Sequence, residues 1–284
     1  MRYLIIFALF CSPIVKAQDD LFSLLEVEDT PQEVTATFKG TRIINGQSVE
    51  LPAKGNLQFL IEHRFGTINS GAYELWGLDQ AQMRMSFDYG LTNNTAIGLA
   101  RNSFEKTFEA SIKSRLVRQK MNGGSPISIT SYNAVFANSI RWANPERANL
   151  FSSRLSYAHQ IMIARKFNSS LSLQLTPSLI HRNLVDKKDI NNDYVALGIG
   201  GRYKLTKRVS LNAEYFYQFK RINELTVNSL SIGFDIETGG HVFQLHVTNS
   251  QGMFESKFIG DTKGKWSAGD LYFGFNISRV FGLK

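Results

Sequence analysis

The stretch Asn192–Arg221 constrains the fold of this chain more than any other. It holds two alternating runs joined by the short polar turn Leu205-Thr206-Lys207-Arg208. In the second run Val209, Leu211, Ala213, Tyr215, Tyr217 and Phe219 share one parity, and Ser210, Asn212, Glu214 and Gln218 the other, with Phe216 the exception. In the first, Val195, Leu197, Ile199 and Tyr203 alternate with Ala196, Gly198, Gly200 and Arg202. A period of 2 marks a strand with one apolar face and one polar or small face. Each run extends over roughly 10 to 13 residues, longer than the usual soluble strand. Tilted by about 45° and rising about 3.3 Å per residue, such a strand spans a hydrocarbon layer roughly 25 Å tall. The hairpin reads as two neighbouring staves of a transmembrane barrel.

The same pattern recurs through residues 55–284 and predicts an all-β fold. The expected architecture is a transmembrane antiparallel up-and-down β-barrel of about 12 strands with a short N-terminal periplasmic segment. In Asn56–Phe65, for example, Leu57, Phe59, Ile61 and Phe65 point to lipid while Gln58, Glu62 and Arg64 point inward. The connections give an independent sign. Those after odd strands are mostly long (66–79, 139–148, 185–191, 222–227, 249–269), and those after even strands mostly short (90–94, 167–169, 205–208, 237–240). The connections 102–105 and 119–125 break the rhythm. Outer-membrane barrels have short periplasmic turns and longer outer loops, and an even strand count leaves both termini in the periplasm. The strand 126–138 is the least regular: Ile127 and Ile129 have one parity, Tyr132 and Phe136 the other. A bulge there would reconcile them.

The N-terminus sets the expected compartment. Arg2, the apolar run Leu4–Leu9, Pro13 and the small residues around Val15-Lys16-Ala17 predict a signal peptide over 1–17, cut before Gln18. Phe10 before Cys11 argues against a lipoprotein, which needs a small residue there. Cys11 is the one cysteine, so the mature chain would have neither a disulfide nor a thiolate metal site. Of 32 Lys and Arg, Arg2 and Lys16 would leave with the leader, giving a surplus of six over the 24 acidic residues. These cations are scattered rather than clustered with aromatics, which argues against a nucleic-acid partner. Lys and Arg near barrel ends would meet lipid phosphates, and 21 Phe and 10 Tyr suit lipid-facing strands and interfacial girdles. Residues 18–54 are expected to be a periplasmic lead-in, long enough to tuck into the barrel mouth.

Several segments then carry a family likeness: His63-Arg64-Phe65-Gly66, Ser70-Gly71-Ala72-Tyr73 through Gly77-Leu78-Asp79, and Asp88-Tyr89-Gly90. They continue with His241–Ser250 and the ending Phe273-Gly274-Phe275-Asn276-Ile277-Ser278-Arg279. Together they resemble an uncharacterised outer-membrane β-barrel family, domain of unknown function 5777, over roughly residues 34–283. The resemblance implies a barrel in the outer membrane of a Gram-negative bacterium, and neither a reaction nor a ligand.

The residues that could carry chemistry lie on the expected inner face: Glu62, Arg64, Arg84, Asp88, Glu109, Lys113, Arg115, Arg154, Arg202, Glu214 and Asp235. Buried charges must be paired or hydrated. They read either as an ion-pair network between strands or as the lining of a narrow channel for small solutes. A barrel of about 12 strands falls between the filled interior of 8 and the open channel of 16. A second reading, a lipid hydrolase, rests on His246-Val247-Thr248-Asn249-Ser250, similar to the His-x-Ser-Asn-Gly stretch of outer-membrane phospholipase A. Such chemistry needs a hydroxyl activated by a histidine base. Here Thr248 replaces the serine, Ser250 the glycine, and His246 shares the inward parity of Gln244. His63, His159, His181 and His241 lie on different strands without metal-ligand spacing, and the glycines form no phosphate loop. The function expected from sequence is therefore a non-enzymatic channel or structural barrel with no cofactor or metal, whose partners are outer-membrane lipids and small solutes. No oligomeric state follows from these residues.

Overall fold

The computed structural model of the chain describes residues 32–185 and 190–283. The expected signal peptide and the first part of the lead-in lie outside the described residues. Twelve antiparallel strands close into one barrel. They are β1 (Asn56–Thr67), β2 (Ala81–Gly90), β3 (Thr95–Asn102), β4 (Thr107–Val117), β5 (Ser128–Asn138) and β6 (Leu155–Lys166), followed by β7 (Leu171–Arg182), β8 (Asp193–Lys204), β9 (Val209–Gln218), β10 (Ser229–Thr238), β11 (His241–Thr248) and β12 (Tyr272–Gly282). Each pairs with the next in sequence, and β12 pairs with β1 to close the wall. Closure matters because no strand edge can be left unpaired in hydrocarbon.

The period-2 residues sort as the sequence leads one to expect. On the outer face Phe59 of β1 stacks on Phe87 of β2 with ring centroids 4.8 Å apart, and Phe65 stacks on Phe273 across the closing seam at 5.8 Å. The opening hairpin keeps a regular register, Leu197 opposite Tyr217 and Tyr203 opposite Leu211. Two register slips occur, between Arg115 and Val117 on β4 and between Tyr272 and Gly274 on β12.

The bulge expected in 126–138 is not in that strand. From Ser128 to Phe136 the burial of β5 alternates without a break, with Tyr132, Ala134 and Phe136 turned inward. Both parities are apolar because the inner wall has an apolar half. Phe216 on β9, the exception noted above, faces inward for the same reason. The connection 118–127 is longer than the other turns at its end because it docks the lead-in: Lys120–Met121 pair with Gln32–Glu33, and Arg118 forms an ion pair with Glu33.

Gly198 on β8 makes room for Phe216. A Cβ at Gly198 would stand 2.5 Å from Cε1 of that ring. Gly198→Val should therefore cost about 1–3 kcal/mol through overpacking. Urea unfolding of the refolded barrel should show a lower midpoint. Phe216→Ala, costly alone, should couple favourably with Gly198→Val in a double-mutant cycle. Strict additivity would mean that the two side chains do not compete for this space.

Candidate functional site

The barrel interior is filled by two segments that do not belong to its wall. The first is the lead-in. Residues 41–48 double back on themselves: the Ile43 amide donates to the Gly46 carbonyl at 2.8 Å, and the Ser48 amide to the Thr41 carbonyl at 2.9 Å. The tip is held by the wall on several sides. The Glu214 carboxylate accepts the amides of Asn45 (2.7 Å), Gly46 (3.0 Å) and Ile44 (3.2 Å). Gln244 Nε2 donates to the Ile43 carbonyl at 3.0 Å, and Asn276 Nδ2 to the Ile44 carbonyl at 3.1 Å. Asn45 donates to Ser231 Oγ at 2.8 Å and accepts from Arg64 Nη2 at 2.7 Å. A buried carboxylate without a cation beside it needs such donors, since each unmade bond would cost roughly 1–3 kcal/mol.

The second segment is the connection 249–271, entering from the opposite end. Its α-helical turn α1 (Glu255–Phe258) lies inside the barrel, and Met253, Phe254, Phe258 and Ile259 are fully buried. Phe254 packs on Phe136 at 5.2 Å, and Phe258 meets Phe216 edge-on at 5.0 Å. Ala158, Met162, Ile180, Tyr194 and Ala196 complete this apolar half of the wall. The apolar residues in a segment read from sequence as a loop are thus core residues of the barrel interior.

Where the two segments meet, five charges alternate in sign. Glu109 accepts a two-nitrogen contact from Arg84, Nε at 3.1 Å and Nη2 at 2.8 Å. Arg84 also bonds Glu62. Arg42 of the lead-in reaches Glu62 at 3.5 Å and Glu255 of α1 at 3.4 Å. Tyr132 donates to Glu109 at 2.8 Å, and Gln47 to Glu255 at 3.2 Å. Burial pushes the Glu255 carboxyl up, to about 6, against the opposing pull of Arg42. Wall, lead-in and loop are therefore tied through one chain of ion pairs, in a setting where an unpaired charge would be strongly unfavourable.

Of the eleven inner-face candidates, Glu62, Arg64, Arg84, Glu109, Lys113, Arg202, Glu214 and Asp235 are buried inside the barrel. Lys113 donates to the Thr41 carbonyl at 3.1 Å, Arg202 to Ser210 at 3.0 Å, and Asp235 accepts from Gln244 at 2.8 Å. Asp88 and Arg115 are half-buried on the same face, Asp88 accepting from Ser86 and Arg115 lying 3.7 Å from Glu50. Arg154 differs. Its strand begins only at Leu155, so Arg154 falls in the short turn Phe151–Arg154 at the rim, over the Trp142 ring at 3.8 Å. Arg42 and Glu255 complete the cluster and were missed, because neither lies on an alternating strand.

The hydrolase reading meets a different geometry. His246 and Thr248 are 2% and 0% exposed and face the barrel interior. His246 Nε2 accepts from Arg64 Nη2 at 3.1 Å, while Thr248 Oγ1 bonds Ser231 at 2.9 Å and the Ser250 amide at 3.2 Å. The hydroxyl and the imidazole are thus engaged with other partners, away from the lipid.

Two cavities flank this filling. One, of about 400 Å³, opens at the end of the long connections beside Arg154, Arg182 and Lys257. The other, of about 350 Å³, opens at the short-turn end between the lead-in and β1, β11 and β12.

Among solved structures the chain is similar to the COG4313 outer membrane channel from Pseudomonas putida F1, with a TM-score of 0.50 and 12% identity, covering 82% of this chain and 97% of that one. It is similar also to the KdgM porin (TM-score 0.48, 10% identity, 80% and 99% covered) and to outer membrane phospholipase A from Escherichia coli (0.46, 13%, 81% and 91%). At these identities the likeness is one of fold. The search of curated proteins gave no match. The family described as a membrane bound beta barrel domain, DUF5777, matches residues 38–281. With a closed twelve-strand wall and a match over most of its length, the chain belongs to that family.

Proposed function

We propose that this protein is a non-enzymatic barrel of the bacterial outer membrane, passing small solutes through a narrow lumen that is occluded at rest. The observation that carries this reading is the double filling of the interior, lead-in from one end and loop 249–271 from the other, joined at Arg42 and Glu255. Eight strands leave an interior that wall side chains just fill and twelve enclose more than that; here the extra space is taken by segments outside the wall. Filling by two segments outside the wall gives a lumen that can be vacated. In this reading the leader 1–17 directs export, residues 18–54 enter from the periplasm, and lipids meet the outward aromatics. The inner-face charges become lining once the filling moves.

Planar-bilayer recording of the intact protein should give low conductance with weak ion selectivity, because the charges near the constriction are paired. A large, steady, porin-like conductance would reject the occluded lumen. Acyl release from mixed micelles, abolished by His246→Ala and Thr248→Ala, would instead establish a hydrolase.

Orientation is tested separately. With Cys11 removed in the leader, single cysteines can report sidedness. Lys263→Cys, in the long connection 249–271, should react with an impermeant thiol reagent on intact cells, and Lys207→Cys, in the turn between β8 and β9, should not. The opposite labelling would invert the barrel.

A further inference from the structure

The cavity at the long-connection end has the charge and shape of a ligand site. Its volume, about 400 Å³, falls within the range that holds a small molecule. Among the described residues, four cations line it, Arg154, Arg182, Lys257 and Lys263, against two carboxylates, Glu105 and Asp261. Both carboxylates are already engaged: Lys257 Nζ stands 2.6 Å from Glu105 and 3.0 Å from Asp261. The two arginines are held but not saturated. Arg182 uses only Nη2, on Tyr194 Oη at 3.3 Å and the Ser256 carbonyl at 2.8 Å, with its guanidinium over the Tyr194 ring at 5.3 Å. Arg154 uses only Nη1, on the carbonyls of Asn138 at 2.8 Å and Ile140 at 2.6 Å. Among the described residues, the remaining nitrogens of both forks have no partner.

Arg154, held through Nη1, keeps its Nε–Nη2 edge for a planar oxyanion, and Arg182, held through Nη2, keeps Nε and Nη1 as separate donors. Each loses little freedom on binding, and the Arg154 edge offers two parallel donors. We propose that this cavity binds a small polyanion bearing carboxylate or phosphate groups. Arg182 and Arg154 are the oxyanion-binding residues, and Lys257 and Lys263 supply the remaining positive field.

The site also touches the loop that fills the barrel. Ser256 and Lys257 line the cavity, while Glu255 of the same turn meets Arg42 inside. An anion that draws Lys257 away from Glu105 and Asp261 changes what holds α1 in place. Differential binding to seated and displaced loop is what a ligand needs to shift that equilibrium. This coupling rests on the channel reading; the binding itself does not.

The test is calorimetric titration of the intact mature protein in neutral detergent micelles with citrate and with pyrophosphate, using sucrose as the uncharged control. Citrate or pyrophosphate should bind, sucrose should not, and affinity should fall with added salt. Arg182→Gln and Arg154→Gln should each weaken binding by about tenfold or more, as expected for loss of a charge-assisted bond. Lys207→Gln, at the other end, should leave it unchanged. Far-UV circular dichroism and heat-dependent gel mobility establish that each variant is a folded barrel, and either arginine variant suffices if the other fails to fold. Displacement of pyrophosphate by micelles containing phosphatidic acid, and not by phosphatidylcholine, would assign the anion to a lipid headgroup. Lack of displacement assigns it to a soluble solute. Absence of binding by the intact protein at about 10 mM anion, or unchanged affinity in the folded arginine variants, would overturn the proposal. A bilayer recording with and without pyrophosphate then reports on gating alone, so the site and the channel reading can fail separately.

Discussion

Deleting residues 18–54 should raise the bilayer conductance of the barrel several-fold, and replacing 251–263 with a short Gly-Ser linker in the same protein should raise it further. The backbone pairing of the wall uses neither segment. Its strands pair only with one another, from β1 round to the β12–β1 seam. The filling does depend on both. Deletion of the lead-in removes Phe38, Ile43, Ile44 and Val49 from the interior, and with them the turn that Glu214 and Asn276 hold. It leaves Met253, Phe254, Phe258 and Ile259 of the loop in place, so the first deletion opens the lumen only in part. It also leaves Glu255 without Arg42 while Glu62 keeps Arg84, and the Glu255 carboxylate would draw water inward, since a buried ion without a partner is strongly disfavoured. The single deletion should therefore shift selectivity toward cations as well as raise conductance. Refolded variants in planar bilayers give both readings. If both variants fold as barrels and neither conducts, the protein is a structural barrel and the channel reading is wrong.

The wall was legible in the sequence because two solvents sort its residues. Lipid demands apolar side chains at every second position, so runs such as Val195–Tyr203 and Val209–Phe219 announce their outer face. The inner face is less legible because its demands are not uniform. Ser172, Gln174, Thr176 and Ser178 on β7 face in and read as polar. Tyr132, Phe136 and Phe216 also face in, and their apolarity answers to Phe254 and Phe258 of a distant loop. Parity alone cannot distinguish an apolar position facing lipid from one facing an apolar plug, and the expected bulge in β5 arose from that ambiguity. The lead-in was legible as a segment able to enter the barrel. Its seat was not, since nothing local in Ile43-Ile44-Asn45-Gly46 names Glu214 as its partner. The apolar clusters Ile43-Ile44 and Met253-Phe254, placed in segments without strand pattern, were the available sign that both would be buried.

Arg84→Met should destabilise the barrel by about 3–5 kcal/mol, the range found when one member of a buried ion pair is removed. Arg84 is 2% exposed, and all three guanidinium nitrogens are engaged, Nη1 with Glu62 and Nε and Nη2 with Glu109. Removing it leaves two carboxylates without the cation between them, Glu62 on β1 and Glu109 on β4, across β2 and β3. Arg42 at 3.5 Å and Tyr132 at 2.8 Å then remain, one for each carboxylate. Methionine fills much of the vacated volume, so the loss reports the charges rather than a cavity. The triple variant Glu62→Gln, Arg84→Met, Glu109→Gln should recover most of the stability, because replacing a buried ionic group entirely is often neutral while breaking it is not. Urea unfolding in lipid vesicles, followed by tryptophan fluorescence, gives the comparison. An Arg84→Met barrel of near-normal stability but altered ion selectivity would show that water, rather than Arg84, compensates Glu62 and Glu109. The cluster would then be channel lining even with the filling in place.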